Sequence, residues 1–163
     1  MRIFLDTEFI ENGRTIDLIS IGLVDENGLG YYAESAECDM AHASPWVRQN
    51  VIPHLKGGRS SIPRAIIAAE IVRFAGPKPE FWAYYADYDW VALCQIYGTM
   101  MQLPKGWPKF CMDVKQLCVS VGDPCLPEQV SAEHNALNDA VWTKAAYEFL
   151  QKPLTQQGTG DAS

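Results

Sequence analysis

Asp6 and Glu8 stand one residue apart in the run Ile3-Phe4-Leu5-Asp6-Thr7-Glu8-Phe9. On a strand, side chains alternate, so both carboxylates leave the same face about 6.5–7 Å apart. Two acids on one face of a buried strand repel each other and lose hydration, a cost that falls when something positive sits between them. A divalent cation meets that need, and an all-oxygen set suits Mg²⁺ or Mn²⁺ better than Zn²⁺. Taken alone, the pair also fits a solvated strand end. Asp89 falls where an aromatic strand gives way to a helix, a position at which Asp is a common N-cap, and Asp87 competes for either role. Asp139 is embedded among Ala136, Ala140, Val141 and Trp142, where a metal or a buried hydrogen bond would account for it. His134 falls at the entrance to the same helix. An imidazole with its ordinary pKa of about 6.5 can take a proton from water at neutral pH. His42 and His54 lack such a context and read as surface residues.

The elements that must position these groups follow from patterning. Arg2–Phe9 is expected as a central strand, because Ile3, Phe4 and Leu5 form a continuous apolar run. Asp17–Asp25 and Gly30–Ser35 follow as strands around a Glu26-Asn27-Gly28 turn, and short connections make the three an antiparallel meander. Ser44 caps and Pro45 opens a short helix in PWVRQNVIPHL. After a polar loop, Ser61-Ile62-Pro63 opens the helix RAIIAAEIVRFAG, which Gly76-Pro77 stops. Glu80–Ala86 is a fourth strand, and the crossover helix before it makes it parallel to the first. A helix at Tyr88–Tyr97, a short fifth strand at Phe110–Met112 and a capping box from Asp113 to Gln116 come next. An irregular Gly122–Glu133 connection leads to a last helix at Asn135–Gln151. The expectation is one α/β domain over residues 1–151, with a mixed sheet of about five strands flanked by helices on both faces. Residues 152–163 read as a disordered tail. Ligand sites in open α/β sheets lie at strand carboxyl ends where strand order reverses, which would bring Asp89 near Asp6 and Glu8.

The acids and histidine thus occur in the order D-x-E, D, H-x-x-x-x-D, within FLDTEF, YADYDWVAL and HNALNDA. This order resembles the DEDDh family of 3′–5′ exonucleases, whose fold is RNase H-like. DTEFIENGRTIDLISIG, SPWVRQNVIPHL and YDWVALCQIYG are similar to the branch called polyadenylate-specific 3′-exoribonuclease AS, and the similarity runs from about Met1 to Leu150. Many members of the family carry Asn four residues before the second-motif Asp, where this chain has Tyr85. The resemblance implies a two-metal-ion exoribonuclease that releases nucleoside 5′-monophosphates from single-stranded 3′ ends. In that scheme Asp6 bridges two divalent cations, Glu8 and Asp139 complete one site, and Asp89 supports the other. His134 is the general base, and Glu8 also touches the terminal 3′-hydroxyl. A homodimer is implied by the same analogy. The same acids would serve a nuclease acting on DNA or dinucleotides, and a non-catalytic nucleic-acid-binding module is a third, weaker reading.

Net charge is −7, which counts against an ordinary nucleic-acid binder, because phosphate contacts need Lys and Arg. Two divalent cations on the four acids would bring the total to about −3. Arg48, Lys56, Arg59, Arg64, Lys105 and Lys109 are the candidate basic contacts. Most of them read as solvated side chains, and Arg48, near Trp46, is the first choice. Few basic residues and many aromatics suit single strands, whose bases stack on rings. Phe9, directly after Glu8, is placed to pack against a terminal nucleotide. The five cysteines form no C-x-x-C pair, so a zinc ribbon is excluded. Their odd number, behind an N-terminus lacking a secretory apolar region, reads as reduced thiols in a cytoplasmic protein. No apolar run reaches the roughly 20 residues of a membrane span.

Overall fold

The computed structural model describes Met1–Lys152; apart from Lys152, the expected tail lies outside the described residues. Two ten-residue strands, β1 (Arg2–Glu11) and β2 (Ile16–Asp25), pair antiparallel. The third strand, β3 (Gly30–Ser35), continues the meander antiparallel to β2, as the short connections predict. Next comes α1 (Pro45–Asn50), whose N-cap Ser44 accepts from the Val47 amide at 3.2 Å. Ile52–His54 adds a 3₁₀ turn rather than prolonging the helix, since Pro53 disfavours helical geometry at the residue before it.

A two-residue strand, β4 (Ser61–Ile62), pairs parallel with β3 and is absent from the sequence expectation. Two residues carry no readable alternation. The crossover helix α2 (Arg64–Ala75) leads to β5 (Glu80–Ala83), which runs parallel to β1. This strand ends three residues earlier than expected, because Tyr85 adopts φ 58° and turns the chain into α3 (Asp87–Ile96). The last strand, β6 (Met112–Asp113), pairs parallel with β5 slightly later than expected. Asp113 then caps α4 (Val114–Ser120), accepting from the Lys115 and Gln116 amides. The final helix is α5 (Ala136–Leu150). The six strands are ordered β4-β3-β2-β1-β5-β6, so strand order reverses between β1 and β5.

Alternation along β1 divides the core. Ile3 and Leu5 pack on one side with Ile67 and Ile71 of α2 and Leu93 of α3. Phe4 faces the other side, against Val114 and Cys118 of α4 and Ala146, Tyr147 and Leu150 of α5. With the same parity, Asp6 and Glu8 fall on the α5 side and Thr7 on the α3 side.

Two irregularities in β2 shape what lies opposite these acids. Glu8 pairs with Ser20 and Phe9 with Leu18, leaving Ile19 unmatched as a bulge beside Glu8. Gly22 pairs with Asp6. A Cβ on Gly22 would lie 2.2 Å from the carbonyl carbon and oxygen of Ala136 and 2.3 Å from the Leu137 nitrogen. The missing side chain lets the backbone of α5 rest on the sheet next to Asp6.

Candidate active site

β5 ends at Ala83, so β1 continues beyond it with an unpaired edge. Asp89, in the first turn of α3, fills that edge: its Oδ1 accepts from the Thr7 amide at 2.8 Å and from Thr7 Oγ1 at 2.7 Å. Asp89 is therefore held by β1 and does not cap its own helix. It is 6% exposed, whereas Asp87 points to solvent. Asp139 lies in the first turn of α5, closer to the helix start than its sequence position suggests, and accepts from the Gln129 side-chain amide. His134 precedes the N-cap Asn135 with φ 62°, and its ring meets Trp46 edge-on, centroids 4.8 Å apart. Asn135 caps α5 through the Asn138 amide and donates from Nδ2 to the His54 carbonyl at 3.2 Å, which ties the α1 segment to the start of α5.

These pieces converge. Ligand atoms of Glu8, His134 and Asp139 all lie within 4.8 Å of one another. Asp6, Gln129, His134 and Asp139 line a cleft of about 450 Å³, with Tyr84 and Tyr85 on its wall. Phe9 stacks on Tyr88, centroids 5.5 Å apart, next to the acids but outside that lining. Trp46 is 54% exposed beside His134.

The basic candidates scatter. Arg48 directs its guanidinium to the carbonyls of Met40, Ala41 and Ala43. Arg64 is ion-paired with Asp17 and bonded to Ser35 Oγ. Lys56 sits over the Tyr32 ring, Lys109 donates to the Met100 carbonyl, and Arg59 and Lys105 are exposed.

Among the described residues, no lysine or arginine forms an ion pair with Asp6, Glu8, Asp89 or Asp139. Burial, then the fields of Asp89, Asp139 and Glu8, raise Asp6 well above the usual carboxylate range. Burial, followed by Asp139 and Asp89, pushes Glu8 up to about 8. Burial lifts Asp89 to about 7 even though both Thr7 hydrogen bonds oppose it. Asp139 is raised by burial, with partial relief from Gln129 and His134. Four buried or half-buried acids with raised pKa values and no lysine or arginine partner among the described residues form an oxygen-rich set that fits hard divalent cations.

Two expectations follow from this electrostatics. The native acids hold protons more tightly than the unfolded chain, so between about pH 4 and pH 8 the native state carries more protons. Stability in EDTA therefore falls as pH rises through that window. Mn²⁺ offsets the loss, so thermal melts should show a larger Mn²⁺-induced rise in Tm at pH 8 than at pH 5; equal rises would contradict the assignment. Thr7→Val removes one of two donors to a buried carboxylate. It should cost about 1–2 kcal/mol in denaturant unfolding and lower metal affinity roughly tenfold or more.

Sequence reasoning missed Thr7, Gln129 and Gly22. Gly22, a glycine inside an apolar strand, carried a readable signal, because such a residue often marks close backbone approach. Gln129 sits in an irregular connection and offered none.

A mixed sheet with an antiparallel meander, a strand-order reversal and inward acids at that point defines a 3′–5′ exonuclease of the DEDD class. The fold aligns with E. coli exonuclease I in complex with a dT13 oligonucleotide, with TM-score 0.62 and 14% identity over 95% of this chain. The chain spans only 42% of that protein's length. It also aligns with the Mg²⁺- and Mn²⁺-bound form of S. pombe Pop2p, with TM-score 0.58 and 10% identity, covering 98% of this chain and 86% of that one.

Closer kinship comes from sequence. The chain is 44% identical over 146 residues to the 3′-5′ exoribonuclease Rv2179c of Mycobacterium tuberculosis, covering 86% of this chain and 87% of that protein. Residues 1–151 match the 3′-5′ exoribonuclease Rv2179c-like domain, and the chain belongs to that family. No helix among the described residues is long and apolar enough to cross a membrane.

Proposed function

We propose that the protein shortens single-stranded RNA from its 3′ end, one nucleoside 5′-monophosphate at a time. What carries this reading is a cleft lined by Asp6, Asp139 and His134, with Glu8 within 4.8 Å of the last two and Asp89 acting on Asp6, and with no lysine or arginine ion-paired to these acids among the described residues. Asp6, Glu8, Asp89 and Asp139 would hold two divalent cations, Mg²⁺ or Mn²⁺. When bound, these ions would polarise the scissile phosphate, acidify the attacking water and stabilise the leaving 3′ oxygen.

The chain's own groups supply the rest. His134 takes the proton of the attacking water, and Trp46 braces its ring at the mouth of the cleft. Glu8 accepts from the terminal 3′-hydroxyl, and Phe9, stacked on Tyr88, packs against the terminal nucleoside. Arg48 fixes the Met40–Ala43 backbone beside α1 and offers the exposed side of that helix to a passing phosphate. The five free cysteines suit a reducing cytoplasm. A homodimer belongs to the same reading, by analogy with related exonucleases.

RNA is preferred over DNA in this reading because the 44%-identical relative is named an exoribonuclease. The oligonucleotide complex of exonuclease I favours DNA as the second reading. RNA and DNA strands of equal sequence, each labelled at the 5′ end, separate the two. Faster loss of RNA, with nucleoside 5′-monophosphates as the product, supports the proposal. Equal or faster loss of DNA overturns the RNA preference, and binding without cleavage of either favours a non-catalytic module.

A further inference from the structure

Tyr85 is a bulky residue held at φ 58°, in the left-handed region that β-carbon-bearing side chains avoid. It is also 63% exposed, so no core packing accounts for the strain. Strained residues that persist without a packing reason cluster at ligand sites. The ring lines the same cleft as Asp6, His134 and Asp139.

Tyr85 is the outer member of an aromatic wall. Its ring meets Tyr84 edge-on with centroids 4.6 Å apart, and Tyr84 meets Trp142 edge-on at 4.9 Å. Trp142 is pinned by its indole N–H, which donates to the Pro127 carbonyl at 2.9 Å. A rigid base thus supports an exposed π-face beside the acids. No arginine or lysine lines the cleft, so the contact its own side chains can offer a base there is stacking.

We propose that the Tyr84–Tyr85 wall is a nucleobase-stacking site for the nucleotide next to the 3′-terminal one, on the 5′ side of the scissile phosphate. This rests on the exonuclease reading of the site. In that reading Phe9, stacked on Tyr88 outside the cleft lining, serves the terminal nucleoside. Tyr85, with Tyr84 behind it, lines the cleft itself and is left for the adjoining base. Stacking explains why the ring is exposed and why the backbone tolerates its strain.

The test uses two substrates: a short oligoribonucleotide, and the same strand with an abasic penultimate nucleotide. Tyr85→Asn removes the ring while keeping a residue that tolerates the left-handed conformation, so Tm should hold or rise. For the intact oligonucleotide, this variant should raise KM roughly tenfold or more, with the loss falling on KM rather than kcat. The loss on the intact strand should far exceed the loss on the abasic one. Tyr85→Phe keeps the ring and should retain the wild-type KM. Equal losses on both substrates, an unchanged KM in Tyr85→Asn, or a Phe variant as impaired as Asn would each overturn the proposal. A wild-type protein that cleaves neither substrate overturns the exonuclease reading, and this one with it.

Discussion

Asp6→Asn is expected to lower the rate of RNA shortening by at least about a thousandfold, because it would remove one of the acids proposed to hold the cations. The same change should make the metal-free protein more stable. Asp6 is buried, and Asp89, Asp139 and Glu8 all disfavour its charge. Asparagine carries no charge to desolvate or repel. The gain should grow with pH, because the acids of the wild-type cluster ionise as pH rises through their raised pKa values, about 7 for Asp89 and about 8 for Glu8. Melts in EDTA at pH 6 and pH 9, beside a rate assay with Mn²⁺, read both effects. Opposite signs for stability and activity are the mark of a site built for a ligand rather than for the fold. A variant that loses stability in EDTA at pH 9 would indicate that Asp6 supports structure instead.

Gly22→Ala is the second large effect, and it acts beside Asp6 without removing an acid. Its Cβ would meet Ala136 and Leu137 backbone atoms at 2.2–2.3 Å. Backbone cannot swing aside as a flexible side chain does, so the start of α5 must lift from the sheet. Overpacking of this kind costs about 3 kcal/mol, which for a domain of this size lowers Tm by about 6–12 °C. Asp139 and His134 belong to the lifted segment, so Mn²⁺ stabilisation and activity should fall with Tm. Wild-type Mn²⁺ binding in Gly22→Ala would show that α5 does not depend on this close approach.

Much of this arrangement was legible in the sequence. The antiparallel meander followed from short connections, the parallel β5 from a crossover helix, and α1 from Ser44-Pro45. The shared face of Asp6 and Glu8 followed from strand alternation. The parts that escaped are those with no period to read. β4 spans two residues, and its pairing depends on the preceding turn. The early end of β5 comes from a left-handed tyrosine, a conformation sequence would assign to Gly or Asn. The Thr7 contacts that hold Asp89 escaped as well, because only the third dimension shows that β5 stops short and leaves the Thr7 amide for it. The three carbonyls that the Arg48 guanidinium serves escaped too, because no spacing reveals them.

The most direct measurement takes a 5′-labelled single-stranded RNA with the wild-type protein and Mn²⁺ or Mg²⁺, alongside EDTA, Asp6→Asn and His134→Ala. The account predicts a ladder that shortens from the 3′ end with wild type and metal, and is absent or far slower in the other three lanes. An RNA left intact by the wild type with either ion, or a ladder that persists in EDTA or with Asp6→Asn, would contradict it.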